Sequence, residues 1–198
     1  MKIVWITGGS SGIGFATAKK FLDNNWKVVI SARDSKKLSL AKEKILENNN
    51  NRELYTYQCD ISNKDQVVKT IKEITINLGL INLAILNAAA YSPNKSQKFM
   101  IENYNHLINV NLNGTLYCIE SLIESMSGKN GHIAIVSSPV GYRGLPTAGA
   151  YGLTKAGLIN LAESLYFDLQ KENIQITLIN PGFIKSESTS LNSFKMPF

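Results

Sequence analysis

A tyrosine and a lysine four residues apart, Tyr151 and Lys155, are the side chains in this sequence best suited to move a proton. On a helix, positions i and i+4 lie on one face. A free tyrosine has a pKa of about 10, which is high for proton transfer at neutral pH, and a nearby ammonium can lower it by roughly 1–3 units. The spacing predicts an acid–base pair, although a core tyrosine beside a lysine with a buried stem would give the same pattern.

A serine at the end of a predicted strand is the second candidate. Ser138 follows the apolar run 132–136 and precedes the predicted helix that carries Tyr151. A strand end and the start of the next helix can converge across such a loop. The Ser138 hydroxyl could then hydrogen-bond a substrate carbonyl, while a turn serine remains the alternative.

A glycine-rich run, Thr-Gly-Gly-Ser-Ser-Gly-Ile-Gly at 7–14, is the third candidate. It lies between a predicted strand and a predicted helix. Glycines let the backbone turn tightly and approach a phosphate, and a helix N-terminus supplies N–H groups and the positive end of its dipole. The run predicts a phosphate site, or else an ordinary glycine-rich turn.

Short apolar runs that alternate with longer amphipathic stretches predict the elements that position these residues. Strands are predicted over 2–7, 27–31, 53–58, 82–86, 132–136 and 174–179, and helices over 11–24, 35–47, 62–77, 97–126 and 147–171. A capping box, Ser62 to Asp65, opens the third helix, a polar loop occupies 48–51, and a loop with Pro93 follows the fourth strand. The pattern predicts one α/β domain over 1–198, with six parallel strands, helices on both faces and ligands at the carboxyl ends of the strands.

Together and in this order, the motifs resemble the short-chain dehydrogenase/reductase family from Thr7 to about Ser186. The resemblance implies a Rossmann-like fold. The matching segments are 7–14, the Asn-containing 109–114, the serine strand 137–141, the Tyr151–Lys155 pair and Asn-Pro-Gly at 180–182.

The resemblance also implies a role for each matched residue. Tyr151 would exchange a proton with the substrate oxygen as a hydride moves, Ser138 would hold that oxygen, and Lys155 would bind the nicotinamide ribose and tune Tyr151. Asn111 would hold a water that links Lys155 to solvent. The residues expected to contact the cofactor are Gly8, Ser10, Ser11, Gly12, Ile13, Gly14, Arg33, Asp60, Ile61, Asn87, Ala88, Tyr151, Lys155, Pro181, Gly182, Ile184 and Ser186.

The end of the second strand indicates which cofactor is preferred. An NAD site usually places an acidic residue there, on the ribose 2′-hydroxyl. Ala32 offers no carboxylate, and the Arg33 guanidinium suits a 2′-phosphate. Asp34 is counter-evidence, but it is placed in the turn that leads to the next helix, and Ser11 is neutral where many NADP-binding relatives are basic. The sequence favours NADP(H) over NAD(H).

Composition excludes several classes of protein. The net charge is +6, but the lysines are scattered and no strip of basic and aromatic residues accompanies them, so no nucleic-acid binding is expected. No apolar run approaches the roughly 18 residues of a membrane helix, and no signal peptide is recognised, so a cytoplasmic protein is expected. His106 and His132 lack metal-ligand spacing, and no metal is expected.

Two departures from the family pattern bear on activity. Ala89 stands where the family has glycine after the fourth strand, and 183–198 is expected to be the start of a truncated substrate lid, without the family's C-terminal helix and seventh strand. Two functions follow. One is an NADP(H)-dependent oxidoreductase acting on a carbonyl or alcohol; the other is a truncated or catalytically impaired cofactor-binding protein of the same fold. A homodimer or homotetramer through helices 97–126 and 147–171 is also expected.

Overall fold

Six parallel strands form one sheet at the centre of the chain. The computed structural model describes residues 1–47, 52–92 and 99–184. The strands are β1 (Ile3–Thr7), β2 (Lys27–Ala32), β3 (Leu54–Gln58), β4 (Leu83–Leu86), β5 (Gly131–Val136) and β6 (Ile174–Ile179). Their order across the sheet is β3-β2-β1-β4-β5-β6.

Helices connect successive strands and cover both faces of this sheet. The α-helices are α1 (Gly12–Asp23), α2 (Ser35–Leu46), α3 (Lys64–Leu78), α4 (Ile101–Leu107), α5 (Gly114–Met126) and α6 (Gly149–Asp168). A π-helical turn, Ile108–Asn113, joins α4 to α5 without a break, and short 3₁₀ turns follow β5 and α6.

The strands separate two hydrophobic cores because their side chains alternate between the two faces of the sheet. In β1, Trp5 belongs to the core shared with α3, α5 and α6, while Val4 and Ile6 belong to the core shared with α1 and α2. Every residue of β1 is buried. Continuous burial is what a strand covered on both faces requires, and it explains why the sequence shows an apolar run rather than alternation.

The strand order reverses direction between β1 and β4. The chain winds outward from β1 to β3 and then crosses back to β4, which pairs with β1 through Val4↔Leu83 to Ile6↔Ile85. The loops after β1 and β4 therefore diverge to opposite sides of the sheet and leave a crevice above its carboxyl edge. The predicted six-stranded doubly wound fold is confirmed.

Several local predictions need correction. The capping box at Ser62 is wrong: Asn63 is the N-cap of α3 and its side chain accepts a hydrogen bond from the Gln66 amide at 3.1 Å. Ser62 is not available, because its amide and hydroxyl both donate to the Asp60 carboxylate. The helix expected from 97 begins at Ile101 within the described residues, and the predicted loops at 48–51 and around residue 93 lie outside them. Within the described ranges, no helix has the length and apolar character to cross a membrane.

Candidate active site and cofactor cleft

A cleft of about 1140 Å³ lies along the carboxyl edge of the sheet. Residues that follow five of the strands, β1 to β5, contribute to it, together with the start of α6 and residues 181–184 after β6. Such a cleft is large enough for a dinucleotide and a small substrate together.

The glycine-rich loop after β1 forms one end of the cleft and fits closely against its neighbours. Gly8 has a φ of +67°, and a Cβ there would lie 2.8 Å from the Cα of Ala88. A Cβ on Gly14 would lie 2.4 Å from the Gly8 carbonyl oxygen. Both positions therefore require glycine, because side chains would push the loop away from α1 and from the loop after β4.

Hydrogen bonds join this loop to the segment after β4. The Thr7 hydroxyl accepts hydrogen bonds from the backbone amides of Asn87 and Ala88, both at 3.0 Å. The Asn87 side-chain amide donates to the Thr7 carbonyl at 3.0 Å. The two loops on either side of the crevice thus have a fixed separation.

The N-terminus of α1 faces the cleft without a side-chain cap. Ser11 is its N-cap residue but makes no capping hydrogen bond, whereas Asp34 caps α2 and Asn63 caps α3. Ser11, Gly12 and Ile13 all line the cleft. An uncapped first turn next to glycines is the arrangement that binds phosphate through backbone N–H groups.

Ser138, Tyr151 and Lys155 all line this cleft. The Tyr151 and Lys155 side chains project from one face of α6, with the Lys155 ammonium 5.4 Å from the centroid of the Tyr151 ring. The Ser138 and Tyr151 hydroxyls lie side by side, and the hydrogen bond from Ser138 lowers the pKa of Tyr151. Tyr91 packs edge-on against Tyr151, with ring centroids 5.1 Å apart.

The pKa of Tyr151 differs from the sequence-based expectation. Burial, and to a smaller extent the neighbouring Tyr91, raise the pKa of Tyr151 to about 12 against the opposing hydrogen bond from Ser138. The lowering expected from Lys155 is not found, and the loss of hydration of the phenolate is the largest influence. Tyr151 is therefore a protonated phenol at neutral pH.

Lys155 is a buried cation whose position is fixed from two sides. It is 2% exposed, and its ammonium donates a hydrogen bond to the Val136 carbonyl at 2.8 Å. The Ser137 hydroxyl donates to the Lys155 carbonyl at 2.8 Å, which ties α6 to the end of β5. Burial lowers the pKa of Lys155 to about 8.

Asn111 lies in the π-helical turn, behind the cleft and not in its wall. It is 1% exposed. Its side-chain oxygen accepts from the Ala90 amide at 2.7 Å, and its side-chain amide donates to the Ala90 carbonyl and to the Thr154 hydroxyl, both at 3.1 Å. In this structure Asn111 connects the loop after β4 to the face of α6 next to Lys155.

The cleft brings together most of the residues expected to contact a cofactor. Those in its wall are Gly8, Ser10, Ser11, Gly12, Ile13, Arg33, Asp60, Ile61, Asn87, Ala88, Tyr151, Lys155, Pro181, Gly182 and Ile184. Gly14 lies beneath the loop instead, where it packs on Gly8. Ser186 lies outside the described residues.

Sequence reasoning missed other residues of the wall. Lys37 lies in the first turn of α2 and gave no signal, since one surface lysine looks like another in sequence. Arg143 lies between β5 and α6 and also lines the cleft. The remaining residues of the wall adjoin recognised ones or belong to recognised segments: Ala32, Asp34, Cys59, Ala89, Ala90, Val110, Val136, Ser137, Pro139, Val140, Leu145, Pro146, Thr147 and Ala148. Tyr91 and Phe183 also line the cleft.

In the part of the chain that the structure describes, no group of three or more His, Cys, Asp or Glu side chains could hold a metal ion. His132 is occupied by a 2.8 Å hydrogen bond with the Thr177 hydroxyl. Cys59 and Cys118 are buried free thiols.

Comparison with known proteins places the chain in one family. The family model for short chain dehydrogenases matches residues 2–195. Carbonyl reductase family member 4 of Xenopus tropicalis is 32% identical over 189 residues, which cover 95% of this chain and 78% of that protein. An uncharacterized oxidoreductase of Myxococcus xanthus is 29% identical and is covered over 76% of its length.

Similar solved structures share this fold, and among them are one with NADP bound and one with NAD⁺ bound. ElxO with NADP bound superposes with a TM-score of 0.89 at 29% identity, over 96% of this chain and 76% of that one. NAD⁺-bound xylitol dehydrogenase superposes with a TM-score of 0.85 at 26% identity, over 93% and 71%. With the family model matching nearly its whole length, the chain belongs to the short-chain dehydrogenase family.

Proposed function

We propose that this chain is an oxidoreductase that transfers a hydride between NADP(H) and a carbonyl or alcohol substrate, with Tyr151 as its general acid and base. One observation carries the proposal: the Ser138, Tyr151 and Lys155 side chains converge in the same cleft as the glycine-rich loop. The carbonyl reductase and the NADP-bound ElxO among its relatives support the same reading.

The cleft suits a dinucleotide on physical grounds. Gly8 and Gly14 let the glycine-rich loop pack closely on the segment after β4 and on α1, and the first turn of α1 lacks a side-chain cap. The glycine-rich loop would hold the diphosphate, Asp60 and Ile61 would face the adenine, and Pro181 would lie against the nicotinamide. The bound cofactor would supply or accept the hydride.

The chain's own residues would handle the proton. Because burial keeps Tyr151 protonated at neutral pH, its phenol is ready to donate to the oxygen of a carbonyl as that oxygen gains negative charge. The adjacent Ser138 hydroxyl would hold the same oxygen and orient it. Lys155, whose pKa of about 8 leaves it mostly charged at neutral pH, would stabilise the tyrosinate that remains.

The test separates binding from chemistry. Purified chain is titrated with NADPH by calorimetry and then assayed for NADPH oxidation on a panel of aldehydes and ketones. Tyr151→Phe, which removes one hydroxyl and keeps the ring, should bind NADPH with unchanged affinity and lose turnover by at least about a thousandfold. Tyr166→Phe, on an exposed tyrosine of α6 outside the cleft wall, is the matched control and should keep turnover.

Two outcomes would contradict the proposal. If neither NADPH nor NADH binds, the chain is not a nicotinamide oxidoreductase. If NADPH binds but no substrate in the panel turns over, the chain acts as a cofactor-binding protein without catalysis. The homo-oligomer through α4, α5 and α6 and the cytoplasmic location stay predictions.

A further inference from the structure

The loop that connects Ser138 to Tyr151 carries one charged side chain, Arg143, and this residue lines the cleft. In the proposed function, the hydroxyls at the two ends of the loop hold the reacting oxygen of the substrate. The part of the substrate that extends beyond this oxygen would therefore contact residues between them. The charge of Arg143 bears on what that part can be.

Contacts on the N-terminal side of Arg143 fix where its backbone lies. The Gly141 amide donates to the Ser138 carbonyl at 2.9 Å, and a Cβ on Gly141 would lie 2.8 Å from a backbone carbon of α6. The Tyr142 hydroxyl accepts a hydrogen bond from the side-chain amide of Asn180 at 3.2 Å. The loop is thus attached both to α6 and to the segment after β6, and Arg143 follows directly at the mouth of the cleft.

The guanidinium of Arg143 keeps its charge for a ligand. The residue is exposed, and within the part of the chain that the structure describes it takes part in no ion pair and no side-chain hydrogen bond. Leu145 and Pro146, which follow it in the loop, are apolar members of the same wall. The substrate end of the cleft therefore combines one exposed cation with apolar surface.

The carboxylates of the described wall, Asp34 and Asp60, are placed elsewhere. They follow β2 and β3, and β1 and β4 lie between β2 and β5. The ends of β2 and β5 are thus three strand spacings, roughly 14 Å, apart. Asp34 also caps α2, and Asp60 accepts two hydrogen bonds from Ser62. Neither carboxylate is placed to neutralise Arg143.

We propose that Arg143 is a specificity-determining residue, and that the substrate is a carbonyl compound with a carboxylate at the far end of a short apolar chain. The inference rests on the proposed function and names its substrate class. A guanidinium binds a carboxylate through two parallel hydrogen bonds, and one cation balances one negative charge. Leu145 and Pro146 suit the carbon chain that joins the carboxylate to the carbonyl.

The reaction would convert an oxo acid into a hydroxy acid. The carbonyl carbon accepts the hydride of NADPH and the carbonyl oxygen accepts the Tyr151 proton, which leaves NADP⁺, and Tyr151 regains its proton from water. The carboxylate keeps its charge throughout. Its bond to Arg143 orients the carbonyl beside the Ser138 and Tyr151 hydroxyls.

The experiment compares each acid with its own methyl ester, which has the same carbon chain and carbonyl but no charge. The full chain is assayed for NADPH oxidation with straight-chain ω-oxo acids of increasing length and with their methyl esters. The readout is the ratio of kcat/KM for the acid to kcat/KM for the ester, in which any loss of folded enzyme cancels. At the best length the wild-type chain should favour the acid by about tenfold, the factor expected from one charge-assisted pair.

Variants assign this preference to the guanidinium. Arg143→Gln should reduce the ratio to about one, whereas Arg143→Lys, which keeps the charge without the planar fork, should retain part of it. Arg52→Gln removes the same charge outside the cleft wall, so it is the matched control and should leave the ratio unchanged.

A second readout does not depend on turnover. The chain saturated with NADP⁺ is titrated by calorimetry with an unreactive straight-chain carboxylate of the best length and with its methyl ester. The carboxylate should bind more tightly than the ester to the wild-type chain, and this difference should disappear in Arg143→Gln.

The possible failures are distinguishable. Equal turnover of acids and esters by the wild-type chain would overturn the substrate class and leave the proposed function standing. An acid preference that Arg143→Gln retains would overturn the role of Arg143. Binding of NADPH without turnover, and without preference for the carboxylate in the titration, would overturn this inference. Absence of binding by both NADPH and NADH would overturn the proposed function itself.

Discussion

Replacing Lys155 by methionine should make the protein more stable at neutral pH while removing its activity. Methionine matches the length and shape of the lysine stem but brings no charge into the buried site. The ordinary lysine pKa of 10.5 falls to about 8 in the folded chain, and at about 1.36 kcal/mol per pKa unit this corresponds to about 3 kcal/mol of cost for keeping the ammonium buried. The variant also loses the hydrogen bond to the Val136 carbonyl, which offsets about 1–2 kcal/mol of the gain.

The direction of the Lys155 pKa shift determines how the free energy of unfolding changes with pH. Below pH 8 the lysine is protonated in both folded and unfolded chains, so the folded protein bears the full cost. Between about pH 8 and 10.5 the folded chain has lost the proton while the unfolded chain keeps it, so stability rises with pH. Above that range both are neutral and the cost has disappeared.

Denaturant unfolding of wild type and Lys155→Met from pH 6 to 10.5 measures the effect. The difference between the two proteins isolates Lys155, because every other titrating group is shared. We expect Lys155→Met to be about 1–2 kcal/mol more stable at pH 7 and to lose this advantage as pH rises through the range from 8 to 10.5. Lys36→Met, an exposed lysine on α2, is the control. Parallel stability profiles for wild type and Lys155→Met across this range would refute the reasoning, since they would mean that Lys155 titrates alike in both states.

Two further substitutions test how the glycine-rich loop is held. Thr7→Val should destabilise the fold by about 2–4 kcal/mol, because two backbone amides after β4 lose the hydroxyl that accepts from both. Thr7→Ser keeps this hydroxyl and should restore most of the lost stability. Equal stability of the valine and serine variants in denaturant unfolding would contradict the prediction. Gly14→Ala places a Cβ 2.4 Å from the Gly8 carbonyl oxygen, so calorimetry should show NADPH affinity reduced by at least about tenfold. Gly144→Ala, whose Cβ would have nothing within 4 Å, is the control and should bind NADPH with unchanged affinity. Unchanged NADPH binding by Gly14→Ala would mean that the loop can move aside without cost.

The strands were predictable to within one residue at each end because buried parallel strands are continuous apolar runs. The run Ile174–Ile179 was predicted without error. The Tyr151–Lys155 geometry was also predictable, since it depends only on the repeat of a helix that the sequence made evident.

Other features depend on tertiary contacts that no local pattern records. The π-helical turn, Ile108–Asn113, alternates apolar residues with asparagines at a period of two, which is typical of a strand and of no helix, so the sequence could not reveal it. The pKa of Tyr151 was predicted in the wrong direction because burial, which dominates it, is a property of the folded cleft. Lys37 reaches the cleft only because Asp34 fixes where α2 begins.

The interlock between the loops after β1 and β4 has a consequence for how the protein forms during synthesis. Thr7 leaves the ribosome 80 residues before Asn87, but the hydrogen bonds that hold the glycine-rich loop in place come from Asn87 and Ala88. β1 itself has a neighbour on its second side only after β4 has emerged. Such distant pairings make folding slow, and one edge of the first strand stays without its native neighbour until the middle of the chain has been translated.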